Sequence, residues 1–222
     1  MFNDIAKTYD TLNSILSFGM HHQWRKKPLK WMEKDRAAHY LDLAAGTADQ
    51  LIAILDEMPH IEKAYAVDPA NHMLEIAKKK IKKKNYSYKV DYLVGSADHL
   101  PFTDQCFDFS TVTFGIRNFS NLQGGIKELF RVTKPAGQVH IIEFGRPTGF
   151  IRPFYGFYRC FILPFVGRLF SHHKFAYSYL DKSIDEFEDA HKVTELLREA
   201  GFESVFKESL FFGIINHFIA IR

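Results

Sequence analysis

At 222 residues with 46% hydrophobic side chains, the chain has the length and apolar content of one large α/β domain. A formal net charge of +3 is too small to argue for a nucleic-acid partner. Cys106 and Cys160 lie far apart with no C-x-x-C, so neither a disulfide framework nor a metal site is expected. The longest greasy stretch, Cys160 to Val166, falls far short of the ~20 residues of a spanning helix, and no basic-then-apolar leader opens the chain. A reducing, cytoplasmic setting is the expectation.

Residues 1–35 hold no strand signal. Ile5, Tyr9, Leu12, Ile15 and Leu16 recur at helical spacing, and Gly19 then His21-His22-x-Trp24 punctuate the segment before a basic helix through Trp31. This reads as a helical lid. Residues 36–145 then read as a cofactor-binding half. Tyr40 to Leu43 is a short strand whose Asp42 stands at the head of a small-residue turn, Ala44-Ala45-Gly46-Thr47-Ala48, followed by a helix marked by Leu51, Ile52 and Leu55. Such a βα turn brings bare backbone and free helix N–H groups to a nucleotide. Ala64 to Asp68 is a second strand ending in a carboxylate, placed to accept bonds from ribose hydroxyls.

The turn lacks a third glycine three residues after Gly46, and Asp42 would repel a pyrophosphate while it could hold an ammonium group. That favours S-adenosylmethionine over NAD. Met73 to Lys84 reads as a helix, and six of its last seven residues are lysines, a solvated face or a patch for anionic lipid. Lys89 to Val94 is a third strand, after which Ser96-Ala97-Asp98 faces the adenine side of the pocket. After the Leu100-Pro101-Phe102 loop, Phe107 to Phe114 is a fourth strand that carries Thr113 near its end and runs into Gly115-Ile116-Arg117-Asn118. A helix from Leu122 to Val132 stops at Lys134-Pro135-Ala136-Gly137, and Gln138 to Phe144 is a fifth strand. Five strand-helix alternations imply a doubly wound, mostly parallel sheet of Rossmann-like type.

Residues 146–190 break that rhythm. Eleven aromatic residues from Phe150 to Tyr179, with Arg152, Arg159 and Arg168 among them, suggest a cap that handles a greasy ligand or rests on a membrane surface; packing of a helical insertion is the alternative. In residues 191–222, a helix from Val193 to Glu199 and a hairpin, Ser204 to Leu210 and Gly213 to Ile221, close the single domain at a sheet edge and bring the count to seven strands.

With these segments in view, the chain resembles the class I S-adenosylmethionine methyltransferases that C-methylate quinone rings in ubiquinone and menaquinone biosynthesis. The resemblance rests on Phe2-x-x-Ile5-Ala6-x-x-Tyr9-Asp10-x-x-Asn13, Ser17-Phe18-Gly19-x-His21-x-x-Trp24, Leu100-Pro101-Phe102 with Phe107-Asp108, and Phe114-Gly115-x-Arg117-Asn118. Glu128-x-x-Arg131-Val132-x-Lys134-Pro135, Glu143-Phe144, Pro164-x-x-Gly167, Tyr177-x-Tyr179-Leu180-x-x-Ser183-Ile184 and Ala200-Gly201-Phe202 agree with it. It implies methyl transfer from S-adenosylmethionine to a ring carbon of a polyprenyl quinol, at a cytoplasmic site peripheral on the inner face of the membrane. Benzoquinol and naphthoquinol, and monomer and homodimer, stay open.

Ala45 and Ala48 stand where that family has glycines, and a methyl group fits at such places where φ is negative. Methylating a phenolic ring carbon requires loss of a proton with pKa near ~10, so a base or a cation must sit beside the developing phenolate. Arg117 is the candidate cation, Asn118 the group that orients the ring oxygen, and Tyr9, His21 and His22 are lid candidates; for Arg117 the alternative is a structural arginine bonding strand-end carbonyls. The cofactor set is Asp42, Ala44, Gly46, Thr47, Asp68, Ser96, Ala97 and Thr113. Two rival readings are a methyltransferase for another small phenol or lipid and a non-catalytic protein of the same fold. An NAD-dependent oxidoreductase lacks the glycine fingerprint.

Overall fold

The computed structural model describes residues 2–33, 35–147, 149–162 and 190–222. Seven strands form one sheet: β1 (Ala38–Leu43), β2 (Ile61–Asp68), β3 (Val90–Val94), β4 (Phe107–Thr113), β5 (Thr133–Phe144), β6 (Ser204–Leu210) and β7 (Ile215–Ile221), in the order β3-β2-β1-β4-β5-β7-β6. The first five are parallel, and β7 runs antiparallel to both β5 and β6. The closing hairpin lies at one edge of the sheet as expected, with β7 paired to β5 and β6 outermost, while β3 forms the other edge.

Near-continuous apolar runs let the central strands be covered on both faces. On one face, α3 (Asp49–Leu55) and α4 (Asn71–Lys83) bury Leu51, Ile54, Leu74 and Ile81 against Tyr40, Ala64 and Ala66. On the other, α5 (Leu122–Val132) and the helix α7 (Ala190–Ala200) bury Ile126, Leu129, Val193 and Leu197 against Leu41, Val112, Val139 and Phe218.

Three segments depart from the sequence reading. Residues 95–106 connect β3 to β4 without a helix, so the alternations are four, not five. Glu128 and Arg131 of α5 hold that loop: Leu100 N–H donates to Glu128 Oε2 at 2.8 Å, and Arg131 donates to the carbonyls of Leu100 and Phe102 at 2.9 and 2.8 Å. The expected stop at Lys134–Gly137 lies inside β5, which begins at Thr133. There Ala136 takes φ +61°, and pairing with β4 resumes at Phe109 and Gln138. The basic helix expected through Trp31 is two short pieces, α2 (His21–Arg25) and a 3₁₀ turn at Pro28–Lys30, because Pro28 cannot continue the preceding turn.

The lid is α1 (Phe2–Leu16), which packs on α4 through Ala6, Tyr9, Met73 and Ile76. Of the aromatic insertion, α6 (Ile151–Phe157) and a π-helical turn at Tyr158–Ile162 are described. Phe165, Arg168, Phe170, Phe175, Tyr177 and Tyr179, with the signatures at Pro164 and at Tyr177 to Ile184, lie outside the described residues.

Candidate active site

The sheet order changes direction between β1 and β4, since β1 leads leftward to β2 and β4 rightward to β5. An open parallel sheet has a crevice at that point, beyond the carboxyl ends of its strands. A cavity of ≈ 290 Å³ lies there, bounded by Leu43 at the end of β1 and Ala44 after it, Asp68 of β2, Gly95 after β3 and Thr113 of β4.

The turn after β1 is tightly wound. Ala44, Gly46 and Ala48 take φ of +56°, +54° and +65°. A Cβ added at Gly46 would meet nothing within 4 Å, so bare backbone faces the cavity there. The expectation of negative φ fails at Ala48, whose left-handed backbone costs about 1 kcal/mol in a non-glycine residue. Opposite, Phe114 has φ +56°, and a Cβ at Gly115 would come 2.4 Å from the Ala44 Cβ. The two strand-end turns thus touch, and Gly115 is what lets them.

Asp68 closes the second side. Its Oδ2 accepts from Gly46 N–H and its Oδ1 from Ala70 N–H, each at 2.8 Å. Burial pushes its pKa up, and the two amides oppose that. Tyr9, Ala44, Gly46, Asp68, Ser96, Ala97, Thr113 and Asn118 all line the cavity, so eight of the thirteen residues singled out from sequence come together. Sequence reasoning missed Pro69 and Met73, which follow Asp68 into α4, and Phe114, Phe119 and Ser120, which flank the Asn118 turn. Their signal was adjacency to residues already chosen.

The other five lie off its wall, His22 among them on the exposed surface. Asp42 is buried behind the turn, where its carboxylate accepts from Thr111 Oγ1 at 2.7 Å and from Leu51 N–H at 3.1 Å. Desolvation pushes its pKa up to about 7. Thr47 donates to Asp10 Oδ1 at 2.6 Å, tying the turn to the lid. Arg117 is buried in an ion pair, its Nη1 at 2.6 Å from Glu143 Oε1 and 2.9 Å from the Phe114 carbonyl, with the guanidinium 5.3 Å from the Phe144 ring centre. His21 shares a hydrogen bond with Ser17 Oγ through Nδ1 at 2.7 Å and packs on His22, and burial pulls its pKa down to about 4.

Residues 1–222 match the ubiE/COQ5 methyltransferase family. The chain belongs to that family. It is 40% identical to a demethylmenaquinone methyltransferase of Thermotoga maritima over 99% of this chain and 93% of that protein. It is 35% identical to another protein of that name from Anoxybacillus flavithermus, over 96% and 90% of the two chains. The fold resembles that of an S-adenosylmethionine-dependent methyltransferase from Aquifex aeolicus, with a TM-score of 0.65 at 20% identity over 89% of this chain and 88% of that one.

As a member of that family the protein is an S-adenosylmethionine-dependent methyltransferase, and the cavity fits this cofactor. A carboxylate has about four lone-pair directions, and the two backbone amides on Asp68 use two, leaving acceptors for a pair of vicinal hydroxyls. The Cβ-free space at Gly46 admits a ligand against the backbone, and Met73 with Ala97 offers an apolar slot for a base.

Proposed function

We propose that this methyltransferase C-methylates the ring of a demethylated polyprenyl naphthoquinol. The observation that supports the reading is that one cavity is lined by Asp68, here read as the ribose acceptor, and by the aromatic and amide groups Phe114, Phe119 and Asn118, with Tyr9 of the lid among them. The naphthoquinol choice follows the relatives, which are named for demethylmenaquinone.

When bound, the cofactor supplies an electrophilic sulfonium methyl. Asp68 and Gly46 fix its sugar, and Met73 and Ala97 its base. Phe114 and Phe119 hold the acceptor ring by stacking and by excluding water. Asn118 donates through its amide to the ring oxygen as that oxygen releases its proton to solvent, so the charge forming on the ring is met by a preorganised dipole, and after methyl transfer the hydrogen on the methylated carbon returns to that oxygen as a proton. Arg117, paired with Glu143 and the Phe114 carbonyl, holds the 116–118 turn so that Asn118 faces inward. The lid holds both ligands in one geometry, which accounts for much of the remaining rate.

The test is product mass after incubation with reduced short-tail quinols. Transfer of one methyl group to the naphthoquinol and little to the matching benzoquinol is expected. Exclusive methylation of the benzoquinol, or of neither quinol by protein that binds S-adenosylmethionine, would overturn the proposal.

A further inference from the structure

The described part of the insertion carries an apolar face that the sheet does not use. In α6 and the turn after it no residue is buried. Phe150, Phe154, Phe157 and Phe161 recur at steps of four, three and four, which aligns them on one side of a helix. They are 69, 68, 58 and 63% exposed. The Phe157 and Phe161 rings lie 4.9 Å apart, and Phe150 meets Phe212, itself 58% exposed, at 5.3 Å. The turn after α6 is tied to the body, since the Tyr158 hydroxyl donates to the Leu16 carbonyl at 2.7 Å.

Charge separates a lipid from a protein as the occupant. Residues 146–162 contain Arg146, Arg152 and Arg159 and no acid. Arg152 and Arg159 stand half a turn away from the phenylalanine stripe. Aromatic residues on one side and arginines on the other are the pattern of a helix lying in a membrane interface, with rings among the acyl chains and guanidinium groups among phosphates. No helix of the described residues is long and apolar enough to span a bilayer, so any contact they make lies in the interface plane. A relay of aromatic rings links the face to the cavity wall. Phe114, on the cavity wall, meets Trp24 at 6.0 Å, Trp24 meets Phe211 at 5.8 Å, and Phe211 is next in sequence to Phe212.

We infer that the Phe150–Phe161 face docks on the surface of an anionic lipid bilayer, which places the mouth of the methyl-transfer cavity against the layer that holds a prenylated acceptor. The docking stands on this face alone; the acceptor's place in the layer rests on the proposed function. A ring that enters the interface withdraws apolar area from water, and each arginine adds attraction to an anionic surface.

The full chain is to be sedimented with vesicles of phosphatidylcholine alone and with about a quarter phosphatidylglycerol. Sedimentation with the anionic vesicles is expected, weakened at least about tenfold in Phe154→Ser/Phe157→Ser and about fivefold in Arg152→Gln. Both variants alter exposed positions, and melting curves that match the parent confirm that they fold. Both should methylate a water-soluble short-tail quinol at the parent rate while losing turnover on a long-tail quinol in vesicles. Parent protein that stays in the supernatant, or a double variant that sediments as the parent does, would overturn the inference. So would a parent dimer that the double variant turns into a monomer without changing sedimentation, which would assign the face to a second copy. Failure to methylate either quinol while sedimentation behaves as expected would strike the proposed function and leave docking intact.

Discussion

Arg117 and Asn118 are neighbours in sequence with opposite surroundings, and the difference assigns their work. The Arg117 guanidinium is 5% exposed and spent on Glu143, itself 1% exposed, and on a strand-end carbonyl. Removing one partner of a buried pair strands the other charge, at a cost of about 3–5 kcal/mol. Arg117→Ala should therefore lower the melting temperature steeply, whereas Asn118→Ala, on the cavity wall, should leave melting near the parent's and lower kcat by about 10²-fold. Thermal melts and single-turnover methylation on the same preparations separate the two. An Asn118→Ala variant that turns over at the parent rate would remove the amide from the chemistry. The residue types at this turn were legible in the sequence; which of the two faced inward was not. Spacing along one turn does not say where a partner such as Glu143, 26 positions on, will stand.

At the scale of elements, the lid is fastened by charge. Lys80 of α4 reaches Asp10 of α1 at 2.9 Å, Thr47 Oγ1 at 3.2 Å and, by a short contact, Asp49 at the start of α3. Arg25 adds a contact with Asp49 at 3.8 Å. One lysine thus joins the lid helix, the cofactor turn and two core helices, next to the position where Tyr9 meets the cavity. Lys80→Met should speed amide exchange in α1 and weaken S-adenosylmethionine binding about five- to tenfold, with partial recovery in Lys80→Arg, because even surface pairs contribute about 0.2–1 kcal/mol each and three part-buried contacts go. Unchanged exchange across residues 2–16 would sink the latch. In sequence this lysine was one of six in a run, and nothing local distinguished it from Lys79 or Lys82, which remain exposed. The strands and most helices, by contrast, were legible because apolar periodicity is a local property. Which strand of the closing hairpin pairs with β5 was not, since a hairpin reads the same whichever of its strands lies outermost. The same limit applies to Phe107-Asp108: Asp108 takes Arg36, Lys134 and the His39 N–H, a junction of three distant segments at the foot of the sheet.

Burial shifts the molecule's inner histidines and carboxylates in opposite directions, and that sets how it meets acid. Across β5 and β7, His140 Nδ1 and His217 Nε2 lie 3.1 Å apart, with Gln138 on the far side of His140 and Glu208 3.5 Å from His217 Nδ1. Burial lowers the pKa of both, and that of His21 to about 4. A histidine with a depressed folded pKa costs nothing above its unfolded value near 6.5, where it is neutral in both states. Between 6.5 and about 4 the unfolded chain binds the extra proton, so stability falls by up to about 1.4 kcal/mol per pH unit for each such histidine. Asp42, raised to about 7, acts in reverse: as pH falls through 7 the native state takes up a proton first, which favours folding. Asp68 shifts in the same direction. Below about pH 7.5 the three histidines of the unfolded chain together take up more protons than Asp42 does in the native state, so denaturant midpoints should be highest at or above pH 7 and drop steeply by pH 5.5. His140→Gln/His217→Gln should flatten the acid limb by about 1 to 2 kcal/mol per pH unit, since two of the three opposing groups go. A parent as stable at pH 5.5 as at 7, or a double variant with an unchanged acid limb, would show that these histidines are protonated in the folded protein and that the row across β5 and β7 is charged.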